Sequence, residues 1–93
     1  MANKTTLLLG AELSVTAGIG NSTNVGNATL VRVYNSSGGV NVIAVTDPTG
    51  ENSYSGVGSM TVHTSDVEYI EKPSSYTIWG SAAFKATKVG FTN

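Results

Sequence analysis

Short runs of alternating apolar and polar residues recur along this chain, each closed by a turn signal, and no stretch carries a convincing helical period. A period of two sends successive side chains to opposite faces, so such runs can only bury one face of a strand. Leu13, Val15 and Ala17 alternate with Glu12, Ser14 and Thr16. The stretches 28–34 and 40–46 are rich in Val, Ile, Thr and Tyr, and Asn35-Ser36-Ser37-Gly38-Gly39 between them reads as a hairpin loop. Asp47-Pro48-Thr49-Gly50 reads as a turn, with Pro48 presetting φ and Asp47 capping the backbone. Further strands are predicted at 57–63, 66–71, 75–79 and 84–91. Gly56 and Gly58 around Val57 predict a bulge, and Pro73 marks a strand end or an edge. Ser81-Ala82-Ala83-Phe84 has room for one helical turn, and 18–27 is a turn-rich loop. The expectation is an all-β fold: a small antiparallel β-sandwich or partly closed barrel of about seven strands. Residues 11–93 form its single β domain, and residues 1–10 form an N-terminal arm.

Composition narrows what such a domain can do. With 93 residues the core is modest, and with no cysteine neither disulfides nor thiolate metal sites can reinforce it. Association with other copies is the remaining source of stability, so a homo-oligomer is expected. Charged residues make up 12% of the chain, about half the usual share, whereas Ser, Thr, Asn and Gly supply 42 of 93 positions. Such a surface is neutral and polar, or is covered by partners. Five scattered basic residues and a net charge of −1 give no phosphate-binding face, so no nucleic-acid partner is expected. No apolar run approaches the length of a membrane span, and Leu7-Leu8-Leu9 is short, has one Lys before it and lacks a signal-peptide cleavage site, so no membrane partner is expected.

Catalytic grammar is missing from the pattern. His63 is the sole histidine. It falls on the polar face or at the end of its strand and reads as a surface or interface residue rather than a general base. Asp66 and Glu68 share a strand face, but Lys72 and Arg32 offer them simple salt bridges. Asp47, Thr49 and Glu51 fall short of a calcium loop in number and spacing and read as a plain turn. The Gly56-x-Gly58 pair continues into neither a dinucleotide fingerprint nor a phosphate loop. No catalytic residue, cofactor or metal is therefore expected. The aromatic residues are more informative, because Tyr69, Tyr76, Trp79, Phe84 and Phe91 all fall in the last third. Tyr76 and Ile78 share one strand face and Thr77 and Trp79 the other, so Ile78 should point inward, and Trp79 is a candidate anchor for an interface.

The step Ile70-Glu71-Lys72-Pro73, then Thr77-Ile78-Trp79, the small-residue stretch Ser81-Ala82-Ala83, and Lys85-Ala86-Thr87-Lys88-Val89-Gly90-Phe91-Thr92 carry a resemblance. Over residues 57–93 the chain resembles the C-terminal half of small structural proteins of tailed-phage virions, cyanophage-like ones especially. The resemblance implies a non-catalytic virion protein, made in the host cytoplasm and carried on the capsid surface as a decoration or cement protein. It implies the major capsid protein or other virion proteins as partners. The contact residues expected from the apolar pattern are Leu7, Leu8 and Leu9 on the arm, with Tyr76, Trp79 and Phe91 on the domain. Two other readings are a carbohydrate- or receptor-binding module of a fibre or adhesin, and a neck or tail connector.

Overall fold

The computed structural model describes residues 5–48 and 55–92. The first four residues of the arm, Thr49 and Gly50 of the turn, Glu51 and Tyr54 lie outside the described residues. Eight strands form two antiparallel sheets: β1 (Thr5–Leu8), β2 (Leu13–Val15), β3 (Leu30–Tyr34), β4 (Asn41–Asp47), β5 (Ser55–Val62), β6 (Val67–Glu71), β7 (Thr77–Gly80) and β8 (Phe84–Thr92). One sheet has the order β1-β8-β3-β6, with β2 paired to the other end of the same edge of β8; the second has the order β5-β4-β7. The all-β sandwich expected from the alternation is the architecture found. Among the described residues a single 3-10 turn, Ile19–Asn21, lies in the 18–27 loop rather than at Ser81–Phe84.

The two sheets pack through the faces that the alternation assigns inward. Val15, Val31, Val33, Phe84 and Ala86 from the larger sheet meet Ile43, Val62 and Ile78 from the smaller, with Val25 and Ala28 from the connecting loop. Each of the larger side chains contributes about 1.5–3 kcal/mol by leaving water. The predicted bulge is present. Val45 opposes Gly58 and Thr46 opposes Gly56, which leaves Val57 unpaired between them.

Two expectations change. The arm is not separate from the domain over Thr5–Leu8, because these residues pair with Val89–Thr92 and supply the eighth strand. Nor does Asn35–Gly39 close a hairpin, since β3 and β4 belong to different sheets. The reason is Asn35 itself, which is fully buried at the corner. Its Nδ2 donates to the carbonyls of Gly39 (2.7 Å) and Val62 (2.9 Å), and its Oδ1 accepts from the Ser37 backbone N–H (3.1 Å) and Oγ (2.7 Å). Its backbone also bonds Asp66 and Ser65, so one residue holds the β3–β4 and β5–β6 corners together.

Asn41 does the same at the β7–β8 corner. It is fully buried, donates to the carbonyls of Ala82 (2.8 Å) and Ala83 (3.1 Å), and accepts from the Ala82 N–H (3.0 Å). Gly80 lies against it: a Cβ there would come within 2.8 Å of Asn41 Oδ1 and 2.9 Å of the Ala82 carbonyl. Glycine is required at this position by close approach.

The two sides of the sandwich differ. On one side the 18–23 segment bridges the sheets and pairs with the outer edge of β7, through Gly18 N–H to the Gly80 carbonyl (2.9 Å) and reciprocal bonds between Thr23 and Ile78 (3.1 and 2.8 Å). On the other side β5 and β6 diverge from their shared corner. An open apolar groove lies between them, lined by Ile43, Val45, Met60 and Ile70 among others.

Candidate functional site

β1 gains a backbone ladder from β8 but little cover for its side chains. Leu8 is 70% exposed, and Leu7 and Leu9 are about half exposed. The register sets Leu8 opposite Val89 and Thr6 opposite Phe91, so these four share the outer face of the five-stranded sheet. Arg32, opposite both Tyr69 and Thr87, belongs to that face too. Tyr69 and Phe91 pack with ring centroids 4.9 Å apart at 59°, and the Tyr69 hydroxyl lies 3.3 Å from Thr6 Oγ1. Beneath these larger groups Val89 and Thr87 are buried although they face outward. Arg32 approaches Glu12 at 4.0 Å on the rim, a contact worth little at this exposure. The result is an apolar ridge of Leu8, Tyr69 and Phe91 beside a depression lined by Leu8, Gly10, Ala11 and Arg32.

Leu7 and Leu9 point to the reverse face of β1. The backbone N–H of Leu9 still bonds the Lys88 carbonyl (2.9 Å), and a shallow depression runs from Leu9 to Leu13 and Val25. Trp79 is far from both groups in the fold. It lies on the outer face of the three-stranded sheet opposite Ala44, with Val42, Val57 and Ile19 around the same depression. Ile78 points inward and is fully buried, as expected. The indole Nε1 of Trp79 is buried with no hydrogen-bond partner among the described residues, a state that costs about 1–3 kcal/mol. Tyr76 is half-buried in the β6–β7 turn, its N–H bonded to the Pro73 carbonyl (3.1 Å).

The six expected contact residues thus fall into separate places. Leu8 and Phe91 form one surface, Leu7 and Leu9 its reverse, and Tyr76 and Trp79 lie elsewhere. Tyr69 was not among the expected contacts, yet it joins Phe91. Strand alternation alone could have paired them only once β6 and β8 were known to flank β3.

The polar candidates resolve differently. Arg32 meets Glu12 rather than Asp66 or Glu68. His63 is exposed in the β5–β6 corner, where its carbonyl accepts from the Asp66 N–H (3.2 Å). Lys72 forms no salt bridge with a carboxylate among the described residues. It is 4% exposed, and its ammonium lies among four backbone carbonyls: Ala28 (2.7 Å), Asn24 (3.0 Å), Ser74 (3.4 Å) and Pro73 (3.5 Å). Burial holds its pKa below the ordinary lysine value. The loop it grips is a left-handed turn in which Val25, Gly26 and Asn27 have φ of 56°, 64° and 58°. A β-branched residue rarely adopts that conformation. Burial of the Val25 side chain and the Lys72 clamp hold it there. The arrangement equips Lys72 as a structural cation that fastens the 24–28 turn to the start of the β6–β7 connection.

Among the described residues no cluster of three or more His, Asp or Glu could hold a metal ion, and no helix is long and apolar enough to cross a membrane. Comparison of this chain with protein-family models, with curated proteins and with solved structures found no match.

Proposed function

We propose that this chain is a structural virion protein that binds the capsid surface and reinforces the shell by contact, without catalysing a reaction. The observation that carries this reading is the ridge where Leu8 of β1 and Phe91 of β8 stay exposed on paired strands and Tyr69 of β6, also exposed, packs against Phe91. Exposed apolar patches with polar rims are characteristic of docking surfaces. Aromatic and aliphatic anchors on regular structure supply most of the energy of such contacts. The resemblance of residues 57–93 to virion proteins supports the choice of partner, and the low charge suits many copies crowded on one lattice.

The test is the copy number of this chain relative to the major capsid protein in gradient-purified particles, measured by quantitative mass spectrometry. Copies approaching the number of capsomers are expected, and a Leu8→Ser/Phe91→Ser variant should lose most of its binding to shells. Failure to find the chain in the particle overturns the reading, and a dozen copies or fewer moves it to the neck or tail. A second reading, a carbohydrate-binding module, is favoured by one observation: the half-buried Trp79 side chain lines an open depression on the outer face of the three-stranded sheet. Glycan binding that disappears in Trp79→Ala would establish it.

A further inference from the structure

An unpaired strand edge invites another strand, and folded proteins usually block it with charge, proline, short length or a covering segment. Three edges of this sandwich are protected. The 18–23 segment covers β7. The edge of β8 is taken by two short strands of four and three residues, interrupted around Gly10. The strand β6 contains Glu68 and Glu71, and Pro73 follows two residues after its end.

Strand β5 differs. It runs for eight residues, Ser-Gly-Val-Gly-Ser-Met-Thr-Val, with neither charge nor proline, and only β4 pairs with it among the described residues. Its bulge at Val57 leaves Gly58–Val62 as the regular stretch. Met60 is 40% exposed on the face that borders the open groove, close to Ile43, Val45 and Ile70.

We propose that β5 pairs antiparallel with β5 of a second copy, across a two-fold axis centred on Met60, so that two three-stranded sheets become one six-stranded sheet. The partner follows from the strand's own pattern. In this register Gly58 opposes Val62 of the second copy, Ser59 opposes its Thr61, and Met60 opposes its own counterpart. Glycine leaves space for valine on the inner face. Serine and threonine form a hydroxyl pair on the outer face, of the kind that stabilises antiparallel strands. The two methionines meet over the apolar groove, where an unbranched thioether fits irregular space well. No charged group meets its like, which is what an isologous contact requires. This pairing gives the homo-oligomer anticipated from composition a defined surface. It stands whether or not the assembly is a capsid, since particle copy number tests that reading and solution mass tests this one.

Four variants of the full chain, beside the wild type, decide the matter, each checked for fold by circular dichroism. The wild-type chain should move from monomer to dimer across a concentration series in sedimentation or light scattering. Ser59→Lys/Thr61→Lys places lysines opposite lysines and should weaken association about tenfold or more, whereas Ser59→Lys/Thr61→Glu places each lysine opposite a glutamate and should restore it. Directly opposed residues in antiparallel strands have Cα atoms about 4.5–5.5 Å apart, within disulfide range. Because the chain has no cysteine, Met60→Cys should give one covalent dimer under mild oxidation, and Val40→Cys, exposed outside the strand, should not. A wild-type chain that stays monomeric throughout, with no Met60→Cys cross-link, overturns the proposal. So does a dimer that survives Ser59→Lys/Thr61→Lys. If the double lysine variant fails to fold, the Met60→Cys cross-link decides alone.

Discussion

Replacing Asn35 by alanine should remove a large share of the stability of this domain, although the side chain lost is small and polar. Its amide makes four hydrogen bonds, of which that to the Val62 carbonyl, at 2.9 Å, is buried and that to the Gly39 carbonyl, at 2.7 Å, is part-buried. The two bonds from Ser37 sit in an exposed loop, where water can replace them. The buried Val62 carbonyl left without its partner costs about 1–3 kcal/mol, and the part-buried Gly39 carbonyl, which Ser37 Oγ also reaches (3.0 Å), about 1 kcal/mol, so the substitution should cost about 2–4 kcal/mol. A chain of this length has about 5–14 kcal/mol in total. The melting temperature should therefore fall by about 10–25 °C. Urea unfolding followed by Trp79 fluorescence reads the change, with Ser36→Ala in the same exposed loop as a control expected within about 0.5 kcal/mol. Asn35→Asp keeps the acceptor and loses both donors, so it should be no more stable than Asn35→Ala at neutral pH. An alanine variant within about 1 kcal/mol of wild type would refute the claim that this amide fixes the corner.

Two further perturbations test the other clamps. Gly80→Ala drives a methyl to within 2.8 Å of Asn41 Oδ1 and 2.9 Å of a backbone carbonyl, and should destabilise by about 1–3 kcal/mol, whereas Gly39→Ala, with open space around it, should be neutral or slightly stabilising in the same melts. For Lys72, the unfolded chain binds its proton more tightly than the folded one, because burial lowers the folded pKa below 10.5. Stability should therefore rise as pH passes through the folded pKa towards 10.5, and Lys72→Met should lack that increment. Urea titrations at stepped pH that show the same slope for both proteins would refute the assignment.

Much of the architecture is legible in the residues because alternation is a physical requirement of a half-buried strand. Val31 and Val33, Phe84 and Ala86, and Ile78 against Trp79 all face the way their spacing dictates. Gly56 and Gly58 likewise announce the bulge at Val57. What the spacing does not contain is which sheet a strand joins. Asn35-Ser36-Ser37-Gly38-Gly39 has the composition of a hairpin loop, and only the burial of the Asn35 amide against β5 turns it into a corner between sheets. The same limit affects Lys72. A lysine between Glu71 and Pro73 reads as a surface cation, and the two shortest contacts of its carbonyl cage come from Asn24 and Ala28, more than forty positions away. Leu7, Leu8 and Leu9 were legible as exposed apolar residues, but their place on a strand depends on β8 extending beyond β3.

The interior polar groups and the exposed apolar ones have a common explanation. A small two-layer core without disulfides gains about 25 cal/mol for each Å² of apolar surface it buries and has little such surface to bury. Asn35, Asn41 and Lys72 compensate by fixing the corners, where the chain leaves one sheet for the other and backbone groups would otherwise lack partners. Leucines that could have enlarged the core are instead on β1, and a methionine that could have been covered by a charged edge is left beside an open groove. Stability spent on the outside in this way is recovered only on contact with another surface. A second copy along β5 and a larger lattice under the β1–β8 ridge would supply two such contacts, on different sheets, without competing for the same residues.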